Sequence, residues 1–191
     1  MKTLLMTAAA LLMAASTTFS QANFGVKGGL NLYKVTADEG DEADMKAGLH
    51  LGVLAHIHLS DQWALQPEVV YSMQGAKSEV DGDDVKFNAN YINVPLLFQF
   101  MFDNGFRLQA GPQLGILASA KAKSGSTSID VKDGMNSIEF SVPVGVGYIS
   151  PSGFGVDLRY HLGLSNINEN DNNEAFNRGF QLGVFYQFRH D

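Results

Sequence analysis

The segment Ala47–Leu59, AGLHLGVLAHIHL, decides the fold that we predict for this chain. Every second residue from Ala47 to Leu59 is apolar, and the residues between them are glycines, histidines and Leu54. Because successive side chains of a strand point to opposite faces, this alternation predicts a strand with one apolar face. Soluble strands usually have about five or six residues, whereas about 9–11 tilted residues cross a bilayer. The length of the segment therefore favours a strand that spans a membrane.

Seven further segments alternate in the same way, which gives eight predicted strands. Six of them are residues 24–35, 88–102, 106–120, 138–150, 154–166 and 179–188, and the seventh begins at residue 63. Short turns at 60–62, 103–105 and 151–153 alternate with long polar connections at 36–46, 77–87, 121–137 and 167–178. Short turns at one end and long loops at the other are typical of outer-membrane barrels, and an even strand count lets the first strand pair with the last. The sequence thus predicts an all-β, eight-stranded antiparallel up-and-down transmembrane β-barrel.

The N-terminus has the three-part layout of a secretory signal peptide. Lys2 precedes the apolar run Leu4–Ala15, and Ser20-Gln21-Ala22 resembles a cleavage site between small residues. We predict a signal peptide at 1–22 and an outer-membrane barrel domain at 23–191. A membrane anchor is the alternative, but the apolar run is short for a spanning helix. The chain has no Cys, which suits an exported barrel that needs no disulfide.

Aromatic residues on the apolar faces gather near the short turns. They are Trp63, Phe102, Phe106, Tyr148, Phe154, Tyr186 and Phe188. Girdles of this kind lie at membrane–water interfaces. A soluble lipocalin-like barrel, with its apolar face inside, is the alternative. The other face of these strands is rich in Gly and carries few charges, which fits the filled interior of a narrow barrel better than a solvated surface.

Three stretches resemble the PorT-type outer-membrane barrels of the outer membrane protein β-barrel domain family. They are 91–98 (YINVPLLF), 110–115 (AGPQLG) followed by Leu117, and 159–167 (RYHLGLSNI). The resemblance extends over the whole predicted mature chain and implies the barrel fold. It does not imply an activity, since a fold does not fix a function. One relative of this type serves a protein-secretion system.

The inward faces carry charges of both signs in equal number. Lys27, Arg107 and Arg159 stand against Glu68, Glu139 and Asp157. Because an unpaired charge in a narrow lumen is costly, we predict that these six residues form an internal charge network. A filled, self-neutralised interior is the first interpretation, and an ion path or proton relay is the second.

Other chemistry-bearing residues give weaker indications. His50, His56, His58 and His161 share the inward face, but no carboxylate or Cys accompanies them as a metal site requires. Acidic residues crowd the first two long connections, where calcium is conceivable but no EF-hand spacing occurs. His161 and Ser165 lie four residues apart along one strand, about 13 Å, which is too far for nucleophilic catalysis. We predict no metal, no cofactor and no enzyme activity.

Composition limits the partners. Without Lys2 the chain has 12 basic and 20 acidic residues, and no basic patch indicates nucleic acid. We expect an outer-membrane protein of a Gram-negative bacterium with both mature termini in the periplasm. Expected partners are membrane lipid, lipopolysaccharide, the barrel-insertion machinery and an envelope protein. The expected role is a structural or interaction scaffold; a narrow channel for ions or small solutes and an accessory of an envelope secretion system remain open, and an envelope enzyme is a third class.

Overall fold

The computed structural model describes residues 22–37, 44–80, 83–124, 127–168 and 175–188. Ten strands occupy nearly all of this part. They are β1 (Ala22–Ala37), β2 (Asp44–His58), β3 (Trp63–Val80), β4 (Asp83–Met101), β5 (Phe106–Ala110), β6 (Gln113–Ser124), β7 (Thr127–Asp130), β8 (Ile138–Ile149), β9 (Phe154–Gly163) and β10 (Ala175–Gln187). Among the described residues, no helix has the length and apolar character that a membrane span requires. The predicted signal peptide falls almost entirely on residues 1–21, outside the described ranges, and stays a prediction.

The strands close into a ring of eight. Each strand pairs antiparallel with its neighbour in sequence, and β1 closes the ring on β10 from the pair Gly25–Gln187 to the pair Ala37–Ala175. The segments β5 and β6 both pair with β4 and with β8, so together they fill one place in the ring. The short β7 pairs only with the end of β6. The predicted eight-stranded antiparallel barrel is confirmed.

The fifth predicted strand is divided at Gly111-Pro112. Proline has no N–H to donate to a ladder, so a strand interior that contains it loses a hydrogen bond. The surrounding chain compensates, since Gly111 donates its N–H to Pro143 at 3.3 Å and the Pro112 carbonyl accepts from Leu96 at 2.9 Å. The alternation of faces continues through the break, with Gln109 and Gln113 both buried.

Apolar side chains face outward around the whole ring. Leu51 is 70% exposed and Leu158 is 47% exposed, whereas the inward Lys27 is 2% exposed. A soluble barrel would bury these leucines in a common centre, as the lipocalin alternative requires. The observed arrangement, apolar outside and polar inside, is that of a transmembrane barrel.

Adjacent glycines on β1 show how closely the strands approach. Gly29 points inward, and a Cβ there would overlap the carbonyl oxygen of Leu182 on β10. Gly28 points outward, and a Cβ there would lie 3.4 Å from its nearest neighbour, the carbonyl oxygen of His50. The inward position therefore requires glycine, while the outward one accommodates a methyl group.

The two ends of the barrel differ. At one end, residues 59–62, 102–105 and 150–153 form tight turns, and Gly105 and Gly153 adopt φ values of +89° and +88° that favour glycine. At the other end the strands run beyond their predicted limits. The predicted loop 77–87 is mostly a ladder between β3 and β4 that runs as far as the pair Val80–Asp83. The sequence there is mostly polar, so the alternation that marks a strand within the membrane is absent from it.

An apolar cluster fills the interior at the long-loop end. It contains Ala89, Tyr91, Leu117, Ala120, Met135, Ile167 and Ala175. Met135 and Ile167 belong to segments 131–137 and 164–168, which we call the lid. The Asn136 amide joins the two segments by donating to the carbonyl oxygens of Asn166 at 2.9 Å and Asn168 at 2.8 Å. The lid thus packs Met135 and Ile167 against inward residues of β4, β6 and β10, as in a small protein core.

Candidate functional site

The barrel interior brings together most of the polar side chains that alternation places inward. All six predicted charged residues are buried there: Lys27, Glu68, Arg107, Glu139, Asp157 and Arg159. They come from β1, β3, β5, β8 and β9, so the closure of the ring gathers groups that are far apart in sequence. The structure divides them into one group of four and two isolated charges.

Four of the six form a closed ionic ring, consisting of Lys27, Glu68, Asp157 and Arg159. The Arg159 guanidinium donates to both Glu68 carboxylate oxygens, at 2.8 and 2.7 Å, and to Asp157 Oδ2 at 2.8 Å. Lys27 Nζ lies 3.3 Å from Glu68 Oε2 and 3.1 Å from Asp157 Oδ2. Two cations and two anions make the ionic ring neutral. Bidentate geometry and mutual pairing offset the cost of burying each charge.

Amide side chains extend the ionic ring to the neighbouring strands. Gln66 donates to Glu68 Oε1 at 2.7 Å, and the Gln109 carbonyl accepts from Arg159 at 3.3 Å and from Gln99 at 2.9 Å. The ionic ring therefore belongs to a hydrogen-bonded layer across the lumen. Such a layer orients each charged group and occupies the cross-section of a narrow barrel.

Arg107 and Glu139 lie on opposite sides of this layer. Arg107 pairs with Gly147 on β8, while Glu139 belongs to the same strand eight residues earlier, so the two levels are about 26 Å apart along the strand. Arg107 donates to Gln99 Oε1 at 3.2 Å and lies 5.8 Å from the Phe185 ring centroid. Glu139 accepts from the Asn177 amide at 3.3 Å, under the lid. Neither forms an ion pair within the described ranges.

The seven predicted girdle aromatics are outward residues at or near the short-turn end. Trp63, Phe102, Phe106, Tyr148, Phe154, Tyr186 and Phe188 are all exposed. Trp63 packs edge-on against Phe100 with centroids 5.1 Å apart, and Phe106 and Tyr148 lie 5.2 Å apart. Phe100 adds to this band, although its distance from the turn gave no reason to single it out in the sequence.

The histidines serve separate contacts. His50 Nδ1 lies 2.9 Å from the Asn31 amide oxygen, and His56 Nδ1 lies 3.3 Å from Gln66 Oε1. His161 packs near the Tyr33 ring, and neither of its ring nitrogens has a hydrogen-bond partner within the part of the chain described. No group of three metal-ligating side chains occurs among the described residues.

The serine considered for catalysis lies outside β9, which ends at Gly163. The Ser165 hydroxyl accepts a hydrogen bond from the Phe140 N–H at 2.8 Å. The acidic stretches considered for calcium, Asp38–Asp44 and Glu79–Asp84, lie almost wholly outside the described side chains, so those indications stay untested.

Outward-facing cations are confined to the long-loop end within the described ranges. They are Lys34, Lys77, Lys86, Lys121, Lys123, Lys132 and Arg178. Lys77, Lys86 and Lys123 are direct neighbours on three adjacent strands, and we call them the lysine row. All three are exposed. Like charges directly opposite each other destabilise a sheet, and although Asp44 on β2 lies opposite Lys77, the lysine row keeps a net positive charge that favours anionic groups.

A polar cavity of about 430 Å³ opens at the short-turn end. His56, His58, Arg107 and Gln187 line it together with turn residues. This cavity, which we call the turn-end cavity, leads from solvent to the side of the hydrogen-bonded layer on which Arg107 lies. It was not foreseen from the sequence, because alternation gives the face of a residue but not its height.

The geometry described so far defines an outer-membrane β-barrel, and comparison with known proteins agrees. The sequence model of the family described as outer membrane protein beta-barrel domain matches residues 14–169, and the chain belongs to this family. It is an outer-membrane protein. The family match does not test the narrower assignment to the PorT type, which stays a prediction.

Solved structures of small outer-membrane barrels are similar in fold. Neisserial surface protein A matches with a TM-score of 0.61 and 17% identity, over 87% of this chain and 99% of that one. Ail, the attachment invasion locus protein of Yersinia pestis, matches with a TM-score of 0.57 and 17% identity, over 88% and 99%. A search of curated proteins gave no match. At these identities the structural likeness establishes the fold and not a shared activity.

Proposed function

We propose that this protein is a closed barrel that acts as a structural or interaction scaffold of the cell envelope. The observation that supports this role is the presence of two obstructions in series along the lumen. One is the ionic ring formed by Lys27, Glu68, Asp157 and Arg159, and the other is the apolar cluster under the lid. A path for ions or solutes would have to pass both. A narrow channel is therefore the less favoured alternative.

Planar-bilayer recording tests this proposal. The refolded protein is expected to give no steady conductance, whereas a known porin in the same bilayer serves as the positive control. A steady open state of the unmodified protein would contradict the closed scaffold and favour the channel.

Variants test whether the two obstructions act independently. Replacing Lys27 and Glu68 by alanine weakens the ionic ring, and replacing Met135 and Ile167 by glycine removes lid side chains from the apolar cluster. Each double variant is expected to show no conductance because the other obstruction persists. The variant with all four substitutions is expected to conduct. A conducting protein with only one pair changed would show that a single obstruction closes the lumen. The shift in gel mobility between unheated and heated samples verifies that each variant is folded.

An enzymatic role and a secretion-system role remain the alternatives. The described residues offer no contact between His161 and Ser165 that would support nucleophilic catalysis. Mass spectrometry of lipid A from cells with and without the protein tests for an envelope enzyme, and a mass difference would contradict the scaffold. Affinity purification of the membrane-extracted protein tests for an accessory role, which stable co-purification of secretion components would support.

The lysine row supports lipopolysaccharide as a partner of the outer surface. Lys77, Lys86 and Lys123 lie beyond the last lipid-facing residues Met73 and Ile92 on β3 and β4, where lipid phosphates would be found. We expect lipopolysaccharide to raise the unfolding temperature, and replacement of the three lysines by glutamine to reduce that increase. Dephosphorylated lipopolysaccharide is the matched control. An equal increase with both lipids would contradict a phosphate contact.

The periplasmic position of the short-turn end, and with it of the mature termini, is part of the proposal. Short turns in outer-membrane barrels face the periplasm, and β1 begins and β10 ends at the short-turn end. Because the chain has no Cys, single substitutions Asp61→Cys and Lys132→Cys report on each end. A membrane-impermeant maleimide on intact cells is expected to label only Lys132→Cys. Labelling of Asp61→Cys alone would reverse the orientation.

A further inference from the structure

The turn-end cavity contains a buried cation that forms no ion pair within the described residues. Arg107 is 4% exposed and lines the cavity, at the level of the pair Arg107–Gly147. One of its donors reaches Gln99 Oε1 at 3.2 Å, and its Nε has no hydrogen-bond partner within the described residues. A guanidinium has five N–H donors in a planar fork, so most of its capacity for hydrogen bonds is unused.

No carboxylate within the described residues forms an ion pair with Arg107, although Oδ1 of Asp157 has no hydrogen-bond partner there. Asp157 shares the level of Arg107, since both pair with Gly147 from opposite sides, but it forms its ion pairs with Lys27 and Arg159. Glu68 completes that neutral ionic ring. Glu139 lies about 26 Å away along β8. Within the buried part of the cavity, Arg107 is therefore a cation that no ion pair among the described residues neutralises.

An unpaired buried charge is costly unless something neutralises it. Water that entered the open cavity would supply part of the solvation. An anion supplies more, because a charge-assisted bidentate pair is stronger than a contact with water. The volume of about 430 Å³ is sufficient for a small molecule, and the opening at the short turns provides the entry path.

We infer that the turn-end cavity binds a small oxyanion, a carboxylate or a phosphate, on the open edge of the Arg107 guanidinium. Both groups match the planar fork of arginine. His56 and His58 line the same cavity, their rings 4.6 Å apart, and because His56 Nδ1 lies 3.3 Å from Gln66 Oε1, His58 is the imidazole with a donor to offer the anion. Asp61 and Asp103 also line the cavity, and both are exposed residues of the turns. Solvent and salt screen their repulsion, so they weaken binding without preventing it.

Nuclear magnetic resonance of the ¹⁵N-labelled mature chain in detergent micelles tests the inference. Sodium chloride is replaced stepwise by sodium acetate, and in a second series by sodium phosphate, at constant ionic strength. The Nε–H signal of Arg107, assigned by its loss in Arg107→Gln, is expected to shift until it saturates in at least one series. The Nε–H signal of Arg159 is the internal control, because the ionic ring already holds that guanidinium.

The two series distinguish the carboxylate from the phosphate by the concentration at half saturation. Shifts that stay linear to the highest concentration in both series, or equal shifts of Arg107 and Arg159, would overturn the inference.

Variants give a second readout through the ring signals of His56. In Arg107→Gln, the anion that saturates the unmodified protein is expected to bind at least about tenfold more weakly, since a hydrogen bond to a charged group contributes about 1.5–3 kcal/mol. Arg178→Gln, at the opposite end, is the matched control and should bind normally. An unchanged response in Arg107→Gln would also overturn the inference. None of these outcomes depends on whether the barrel conducts, so this site and the scaffold role are tested separately.

Discussion

The ionic ring allows us to predict how much stability the barrel loses when one of the four charges is removed. Glu68→Gln keeps the shape of the side chain and one acceptor oxygen but removes a negative charge that Arg159 contacts at 2.7 and 2.8 Å and Lys27 at 3.3 Å. Two buried cations then share Asp157 alone. Breaking a buried ion pair by removing one partner usually costs about 3–5 kcal/mol, and we expect Glu68→Gln to lower the free energy of unfolding by that amount.

Removing a positive charge as well, by Lys27→Met, restores the neutrality of the ionic ring in the double variant. Lys27→Met alone leaves two carboxylates against Arg159 and is expected to destabilise the protein for the same reason. Glu68→Gln combined with Lys27→Met leaves one cation, Arg159, and one anion, Asp157. We therefore expect the double variant to lose less stability than the sum of the two single losses, by about 0.5–3 kcal/mol.

Reversible urea unfolding in detergent, followed by tryptophan fluorescence, measures all four proteins of this cycle. Midpoints are interpreted as stabilities only if the slope of the free energy against urea is unchanged. Strictly additive losses of unfolding free energy would refute the reasoning, because they would mean that Lys27 and Glu68 do not interact electrostatically. A double variant less stable than the sum of its parts would refute it more strongly.

Three further predictions concern the outer face, strand spacing and the aromatic girdle. Leu158→Arg places a charge in lipid at a cost of about 2–4 kcal/mol, so its folded fraction on unheated gels should fall, whereas Ser128→Arg, on an exposed strand outside the ring, should fold normally. Gly29→Ala should lower the free energy of unfolding in urea by about 1–3 kcal/mol, because its methyl group overlaps the neighbouring backbone, whereas Gly28→Ala should have little effect. Trp63, the single tryptophan, should be quenched more strongly by lipids brominated near the headgroup than by lipids brominated deep in the chain.

A specific result would contradict each of these three predictions. Equal folded fractions for Leu158→Arg and Ser128→Arg would undo the assignment of the lipid face. Equal stabilities for the two glycine variants would show that β1 and β10 can separate without loss. Stronger quenching of Trp63 by deep bromines would place the short-turn girdle inside the hydrocarbon region.

Sequence reasoning predicted the barrel because one physical rule governs every strand inside the membrane. Lipid requires an apolar outward face, and the pleat then fixes which residues face inward, as the exposed Leu51 and the buried His50 illustrate. Beyond the membrane neither face has to be apolar, and the rule no longer applies. The segment 77–87 is mostly polar and its apolar residues do not sustain the alternation, so it gave no signal of the ladder that it forms.

The predicted charge network illustrates a second limit of the sequence. Alternation gives the face of Arg107 and of Glu139, but their height in the barrel depends on the register between strands and on where each strand begins. The expected three inward cations and three inward anions consequently do not all meet, and the structure buries a fourth cation, Lys46, which donates to the Gln74 carbonyl at 3.0 Å. Met135 and Ile167 were not identified from the sequence for a similar reason, since isolated apolar residues in polar connections give no periodic signal.

Arg107 and Glu139, the two charges outside the ionic ring, lie toward opposite ends of the barrel interior. A barrel selected only to fill its lumen would place all opposite charges within contact of one another, because an isolated buried charge lowers stability. Of the six predicted charges, four satisfy each other in the ionic ring, and the two that remain lie on either side of it, about 26 Å apart along β8. Arg107 borders a cavity that opens to solvent, whereas Glu139 lies beneath the lid. The open cavity is therefore the end at which a soluble ligand can lower the cost of the unpaired charge.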